Sequence, residues 1–122
     1  MDDEPAVRQV VVAMLKRLGY DAEAVPDGAS ALEADAKATA TGQPYSVIIM
    51  DLTIPGGMGG EEAAALLRAR QTSARLIASS GYATDPVMAE YRTYHFDGVL
   101  AKPYNFDELT SALASLDDQP SS

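Results

Sequence analysis

The sequence predicts an α/β fold built on a doubly wound parallel sheet, and three observations predict it. Residues 45–50 (YSVIIM) and 75–79 (RLIAS) are short runs dominated by apolar residues, as strands buried on both faces are. Around them, apolar residues recur at helical spacing. Strands and helices therefore alternate, which places parallel strands in one sheet with helices on both faces.

Pro5 suits a first helical turn, and Val7, Val10, Val11, Met14, Leu15 and Leu18 follow at helical spacing up to a stop at Gly19. Residues 20–25 alternate weakly and read as a strand, closed by the turn signal Asp27-Gly28. An alanine-rich stretch over about 29–41 reads as a second helix, with Gly42 past its end. After the 45–50 strand, TIPGGMGG is a loop. A third helix covers 61–71, its acidic residues at the positive N-terminal end. The 75–79 strand leads into a loop over 81–85. Pro86 then opens a fourth helix through about Tyr94, with Val87, Met88 and Tyr91 on one face. Residues 98–101 form a short strand. Asn105 caps a last helix whose buried stripe is Phe106, Leu109, Ala112, Leu113 and Leu116.

The 122 residues fit one domain, and a hydrophobic fraction of 47% is enough for a core without staples. There is no cysteine, which excludes disulfides, thiolate metal sites and cysteine nucleophiles. No apolar run approaches the ~20 residues of a membrane helix, and no secretory leader is visible. The expected setting is the cytoplasm, away from membranes. The net charge is −9 and the basic residues are scattered, which argues against nucleic acid as a partner.

Chemistry in such a sheet sits at the carboxyl ends of the strands. Asp51 follows the 45–50 strand, Ser80 follows the 75–79 strand, and Lys102 follows GVLA. The acidic run Asp2-Asp3-Glu4 precedes the first helix. Each has a plain structural reading: Asp as a cap, Ser-Ser-Gly as a turn, Lys before Pro as a solvated side chain. Together they place carboxylates, a hydroxyl and an ammonium at one edge. Two carboxylates ~4 Å apart repel by roughly 4 kcal/mol at an effective dielectric of ~20, so such a cluster calls for a cation. An all-oxygen donor set with room for water suits Mg²⁺. A carboxylate beside that ion can attack phosphorus and form an acyl phosphate, with the ammonium offsetting charge on the transferring oxygens.

The motifs MDDEP, IIMDLTIPGGMGG, LIASSGY and GVLAKPY together resemble the receiver domain family of bacterial response regulators over nearly the whole chain. DLTIPGGMGG with SSGY is similar to receivers attached to hybrid sensor histidine kinases. The resemblance implies the flavodoxin-like five-stranded sheet of order 2-1-3-4-5; a receiver with this order is a standard example of it. It implies a phosphoacceptor at Asp51, fed from a phosphohistidine. Asp3 would bind Mg²⁺ directly, Asp2 partly through water, and the Thr53 carbonyl would join Asp51 as a further ligand. Ser80 would turn toward the phosphoryl group, Lys102 would pair with its oxygens, and the Lys102-Pro103 bond would be cis. The implied partners are a sensor histidine kinase or a histidine phosphotransfer protein, and a second copy through the fourth helix, last strand and last helix. The chain would be an acceptor and not an enzyme.

Two departures stand out. Val99 occupies a position where the family often has Tyr or Phe, and the family's first strand would lie ahead of Asp2, where this chain has only Met1. The expectation is thus an N-terminally truncated receiver over 1–117 with a flexible tail at 118–122. Two other functions compete. A Mg²⁺-dependent aspartyl phosphatase would need a second Asp two residues after the nucleophile, where Thr53 stands. A phosphorylation-independent interaction module would not need all the chemical positions filled.

Overall fold

The computed structural model describes residues 1–82 and 85–117, so residues 83 and 84 of the expected loop and the expected tail at 118–122 lie outside the described residues. The elements in order are α1 (Pro5–Arg17), α2 (Gly28–Ala40), β1 (Val47–Asp51), α3 (Gly60–Ala69), β2 (Arg75–Ser80), α4 (Pro86–Ala89), β3 (Gly98–Ala101) and α5 (Phe106–Asp117). The strands form one parallel sheet in the order β1-β2-β3. Val47 to Asp51 pair with Arg75 to Ser79, and Ile77 to Ser80 pair with Gly98 to Ala101.

The sheet is covered on both faces, as the alternation of elements requires. On one face Met50, Leu76 and Ala78 meet Leu67 of α3, Leu32 of α2 and Phe96. On the other, Ile77 and Leu100 meet Leu109, Leu113 and Leu116 of α5, with Met14, Leu15 and Leu18 of α1 packed at the margin. Local chemistry fixes the element ends. Asp27 accepts from the Ser30 N–H and caps α2, so the expected turn residue is a helix cap. Asn105 and Glu108 cap α5 reciprocally: Oδ1 of Asn105 accepts from the Glu108 N–H, and Oε1 of Glu108 accepts from the Asn105 N–H.

Three expectations need correction. Residues 20–25 are not a strand; they run outside any ladder, held by isolated bonds such as Asp2 N–H to the Val25 carbonyl (3.1 Å). The described sheet accordingly has three strands, matching the last three of the expected order. In that order the second strand pairs only with the first, and among the described residues it is Met1 that occupies the position beside β1 on the side of residues 20–25. Its ammonium donates to Ile49 O (2.6 Å) and its carbonyl accepts from Asp51 N–H (3.0 Å). A weakly alternating segment with no neighbour to pair with stays a coil. The fourth helix is also shorter than expected, ending at Ala89 and followed by turns, with His95 at φ +77°. The run Tyr91 to Phe96 is rich in aromatic and β-branched residues, poor helix formers, and still packs Tyr91, Tyr94 and Phe96 into the core.

Candidate functional site

β1, β2 and β3 all end at the same edge, and the loop after β1 folds back tightly against it. A Cβ on Gly59 would come within 2.6 Å of the Leu52 carbonyl oxygen, and one on Gly60 within 2.9 Å of the Asp51 carbonyl oxygen. The GMGG sequence is therefore what lets α3 start directly beneath the end of β1.

Asp51 is the last residue of β1 and is buried. Its Oδ1 accepts from the Thr53 N–H (3.1 Å), and its Oδ2 accepts from Lys102 Nζ (2.9 Å). Lys102 reaches in from just past β3 and also donates to Oδ2 of Asp2, so one ammonium bridges two carboxylates. Asp2 is buried as well, and its Oδ1 accepts from the Glu4 N–H (3.0 Å). Carboxylate oxygens of Asp2, Asp3 and Glu4 lie within 4.8 Å of one another, with Asp3 and Glu4 exposed. Ser80 ends β2, buried, and its hydroxyl accepts from the Tyr82 N–H (3.0 Å). The Lys102-Pro103 bond is cis.

The sequence-selected residues Asp2, Asp3, Asp51, Thr53, Ser80 and Lys102 thus gather at one edge. Ser80 is the one whose hydroxyl is turned to its own loop, and Thr53 is tied to Asp51 through its N–H.

Electrostatics follow from burial and the bridge. Burial alone would pull Lys102 down, but the hydrogen bonds and charges of Asp2 and Asp51 outweigh it and hold its pKa above the ordinary lysine value. Burial pushes the Tyr104 phenol up to about 12. Burial lowers the Met1 ammonium to about 6, against the opposing pull of Asp2 and Asp51.

Two neighbours of the site, Arg8 and Tyr104, are not among the residues selected from the sequence. Arg8 donates from Nη1 to the Asp2 carbonyl (2.9 Å), pinning the acidic turn. Its signal was its place one turn into a helix that starts at an acidic run. Tyr104 is half-buried beside Lys102, and nothing in its sequence context distinguished it from packing. Glu4, the third member of the acidic run, lies with Asp2 and Asp3 in the cluster.

The donor chemistry fits a hard divalent cation. Asp2, Asp3 and Asp51 supply carboxylate oxygen only, at a place where an ammonium already balances two of the charges, and Asp3 faces solvent, which leaves room for water.

A family model described as the response regulator receiver domain matches residues 1–114. Transcriptional regulatory protein TcrA of Mycobacterium tuberculosis is 30% identical over 117 residues, covering 95% of this chain and 44% of that protein. Transcription factor SKN7 of Saccharomyces cerevisiae is 26% identical over 113 residues, covering 93% of this chain and 17% of that protein. The chain thus spans less than half the length of these curated relatives. Among solved structures, the receiver domain of sensor histidine kinase PA1611 from Pseudomonas aeruginosa PAO1 has magnesium coordinated in its active-site cleft. It superposes with a TM-score of 0.81 at 27% identity, covering 98% of this chain and 94% of that one. Vibrio cholerae chemotaxis protein CheY4 gives 0.82 at 27% identity, covering 94% and 92%.

Proposed function

The chain belongs to the response regulator receiver family, and from that premise we propose that it is a phosphoacceptor switch of a two-component or phosphorelay system, taking a phosphoryl group onto Asp51. The observation that carries this reading is the bridge: Lys102 holds the carboxylates of Asp51 and Asp2 together at the carboxyl edge of a parallel sheet.

In the transfer, an oxygen of Asp51 attacks phosphorus, the new O–P bond forms, and the P–N bond to a donor imidazole breaks, its electron pair leaving with the nitrogen. The donor is a sensor histidine kinase or a histidine phosphotransfer protein. Asp51 is presented for in-line attack by the Thr53 N–H on one oxygen and Lys102 on the other. Lys102 supplies a fixed positive charge where negative charge builds on the phosphoryl oxygens. Ser80 turns its hydroxyl from the Tyr82 N–H to the new phosphoryl group, which couples the site to the loop after β2. Mg²⁺, held by Asp2, Asp3, Asp51 and the Thr53 carbonyl, would supply charge compensation between nucleophile and phosphoryl oxygens.

The output surface is α4, β3 and α5, available to a second copy or another protein. A net charge of −9 favours a protein partner over nucleic acid, and a two-component switch would work in the cytoplasm. Among the described residues no helix is long and apolar enough to cross a membrane.

Incubation with acetyl phosphate and Mg²⁺, followed by intact mass, tests the reading. One added phosphoryl group is expected, absent in Asp51→Asn and absent in excess chelator. Unlabelled wild-type protein would favour the pure interaction module, and label on Ser79 or Ser80 would overturn the site assignment.

A further inference from the structure

Ser79 carries a hydroxyl that the site so far leaves without a task. Its Oγ is buried and has no hydrogen-bond partner among the described residues. A buried hydroxyl without a partner costs about 1–3 kcal/mol, so its retention beside a charged cluster calls for an account.

Register says what lies over it. β2 is the middle strand, and Asp51, Ser79 and Leu100 are paired across the sheet, so their side chains share a face. That face is the one carrying Ile77 and Leu100 against α5. Lys102 follows Leu100 by two residues and returns to the same face. Its ion pair with Asp51 joins the end of β3 to β1, roughly two strand spacings of ~4.8 Å apart, and therefore crosses the end of β2, between the level of Gly81, opposite Lys102, and that of Ser79, opposite Asp51. Lys102 has three N–H donors, of which one goes to Asp51 and one to Asp2.

We propose that Ser79 is a positioning residue of the phosphoacceptor site: its hydroxyl, lying under the Lys102–Asp51 ion pair, accepts an N–H of Lys102 and holds the ammonium over Asp51 when Asp2 turns to a divalent cation. This rests on the phosphoacceptor reading for its purpose, though not for its geometry. Were Asp2 to give its Oδ2 to a divalent cation, Lys102 would lose one of its two anchors. A turn of the Ser79 side chain between staggered rotamers brings a replacement acceptor to the ammonium. Without it, the four-carbon lysine stem is free to carry the charge into solvent. Ser80 ends the strand one residue later with its hydroxyl on the Tyr82 N–H, so the adjacent serines divide the work: Ser79 holds the ammonium and Ser80 reports the phosphoryl group.

The test compares wild type with Ser79→Ala and Ser79→Cys. Removing an unpaired hydroxyl should leave the melting temperature of the metal-free protein unchanged or raise it, so both variants fold. The first readout is the Nζ–H signal of Lys102 in nitrogen-15 spectra of Mg²⁺-loaded protein at low temperature. It is expected to persist in wild type and to broaden away in both variants. The second is acetyl phosphate labelling, expected to slow about fivefold in the variants, as loss of a bond to a charged group would give. Variants whose Lys102 signal and labelling rate match wild type would overturn the proposal. If wild type takes no label but its Lys102 signal still depends on Ser79, the positioning contact stands and the phosphoacceptor reading falls.

Discussion

The two edges of β1 behave differently although the same five residues form both. Toward β2 the strand is in continuous register, Val47 opposite Arg75 through Asp51 opposite Ser79. Toward α1 and residues 20–25 its partner is Met1, with two hydrogen bonds. Beyond Met1 a cleft of about 560 Å³ opens between the two, lined by Tyr20 and Glu23 on one side and Val47 and Ile49 on the other. α1, which packs over this margin, has no fully buried residue, and Val10 is 57% exposed. Strand formation here is a property of the pair. Residues 20–25 alternate only weakly, and with a single bond from Asp2 to Val25 and no strand alongside them among the described residues they form no ladder.

Four measurements test this contrast. The largest effect is expected on the paired side. Ile77→Ala removes a fully buried side chain from the middle strand and should cost about 3–4 kcal/mol in chemical denaturation, whereas Val25→Ala should cost under about 1 kcal/mol. Equal losses would show that residues 20–25 are as firmly held as the sheet.

Filling the cleft is the complementary experiment. An apolar, β-branched stretch of five residues fused ahead of Met1 would find Ile49 and Val47 on one side and residues 20–25 on the other. Backbone pairing plus burial of two or three side chains should raise stability by roughly 2–3 kcal/mol after ordering costs. An unchanged melting temperature, with no new strand signal in amide exchange, would mean that the cleft does not accept a strand.

A pH effect should be smaller. The Met1 ammonium is lowered to about 6 in the folded state, from an ordinary value of 8.0 in the unfolded chain. Between those values the unfolded state binds more protons, so stability rises with pH across the window and the penalty is fully present below pH 6. About 1–2 kcal/mol is expected between pH 6 and pH 8 in divalent-free buffer, and the fused strand should abolish it. A falling or flat profile would show that the ammonium is solvated.

The smallest global effect is expected from Lys102→Ala, because Lys102 is the clasp between the two regions: it ties Asp2, beside the loosely held edge, to Asp51, on the paired one. Amide protection should drop about tenfold at Asp2 and stay constant at Ile77. In the same variant Mg²⁺ should bind several-fold more tightly, since a competing cation has gone. Protection lost equally at both amides would show that the bridge supports the whole sheet.

The legibility of the site follows the same line. Asp51, Ser80 and Lys102 could be found because each ends a strand recognisable from its own residues, and parallel strands bring their carboxyl ends to one edge whatever their exact register. Asp2 and Asp3 could be found because they directly precede a helix with a clear start. Tyr104, Arg8 and the task of Ser79 were not legible. Their significance depends on which side chain crosses over which strand, and no local spacing contains that.

The parallel α/β architecture, the helix ends at Pro5 and Asn105, and the set of residues at the sheet edge follow from the amino-acid sequence alone. The reason is that hydrophobic period, capping chemistry and chain direction act within a few residues. Only the tertiary structure decided that residues 20–25 form no strand, that α4 stops at Ala89, and that one ammonium joins Asp2 to Asp51. These outcomes depend on whether a distant partner occupies the neighbouring place. A backbone N–H or a buried charge takes its state from what lies across the gap, and that is settled when the chain packs.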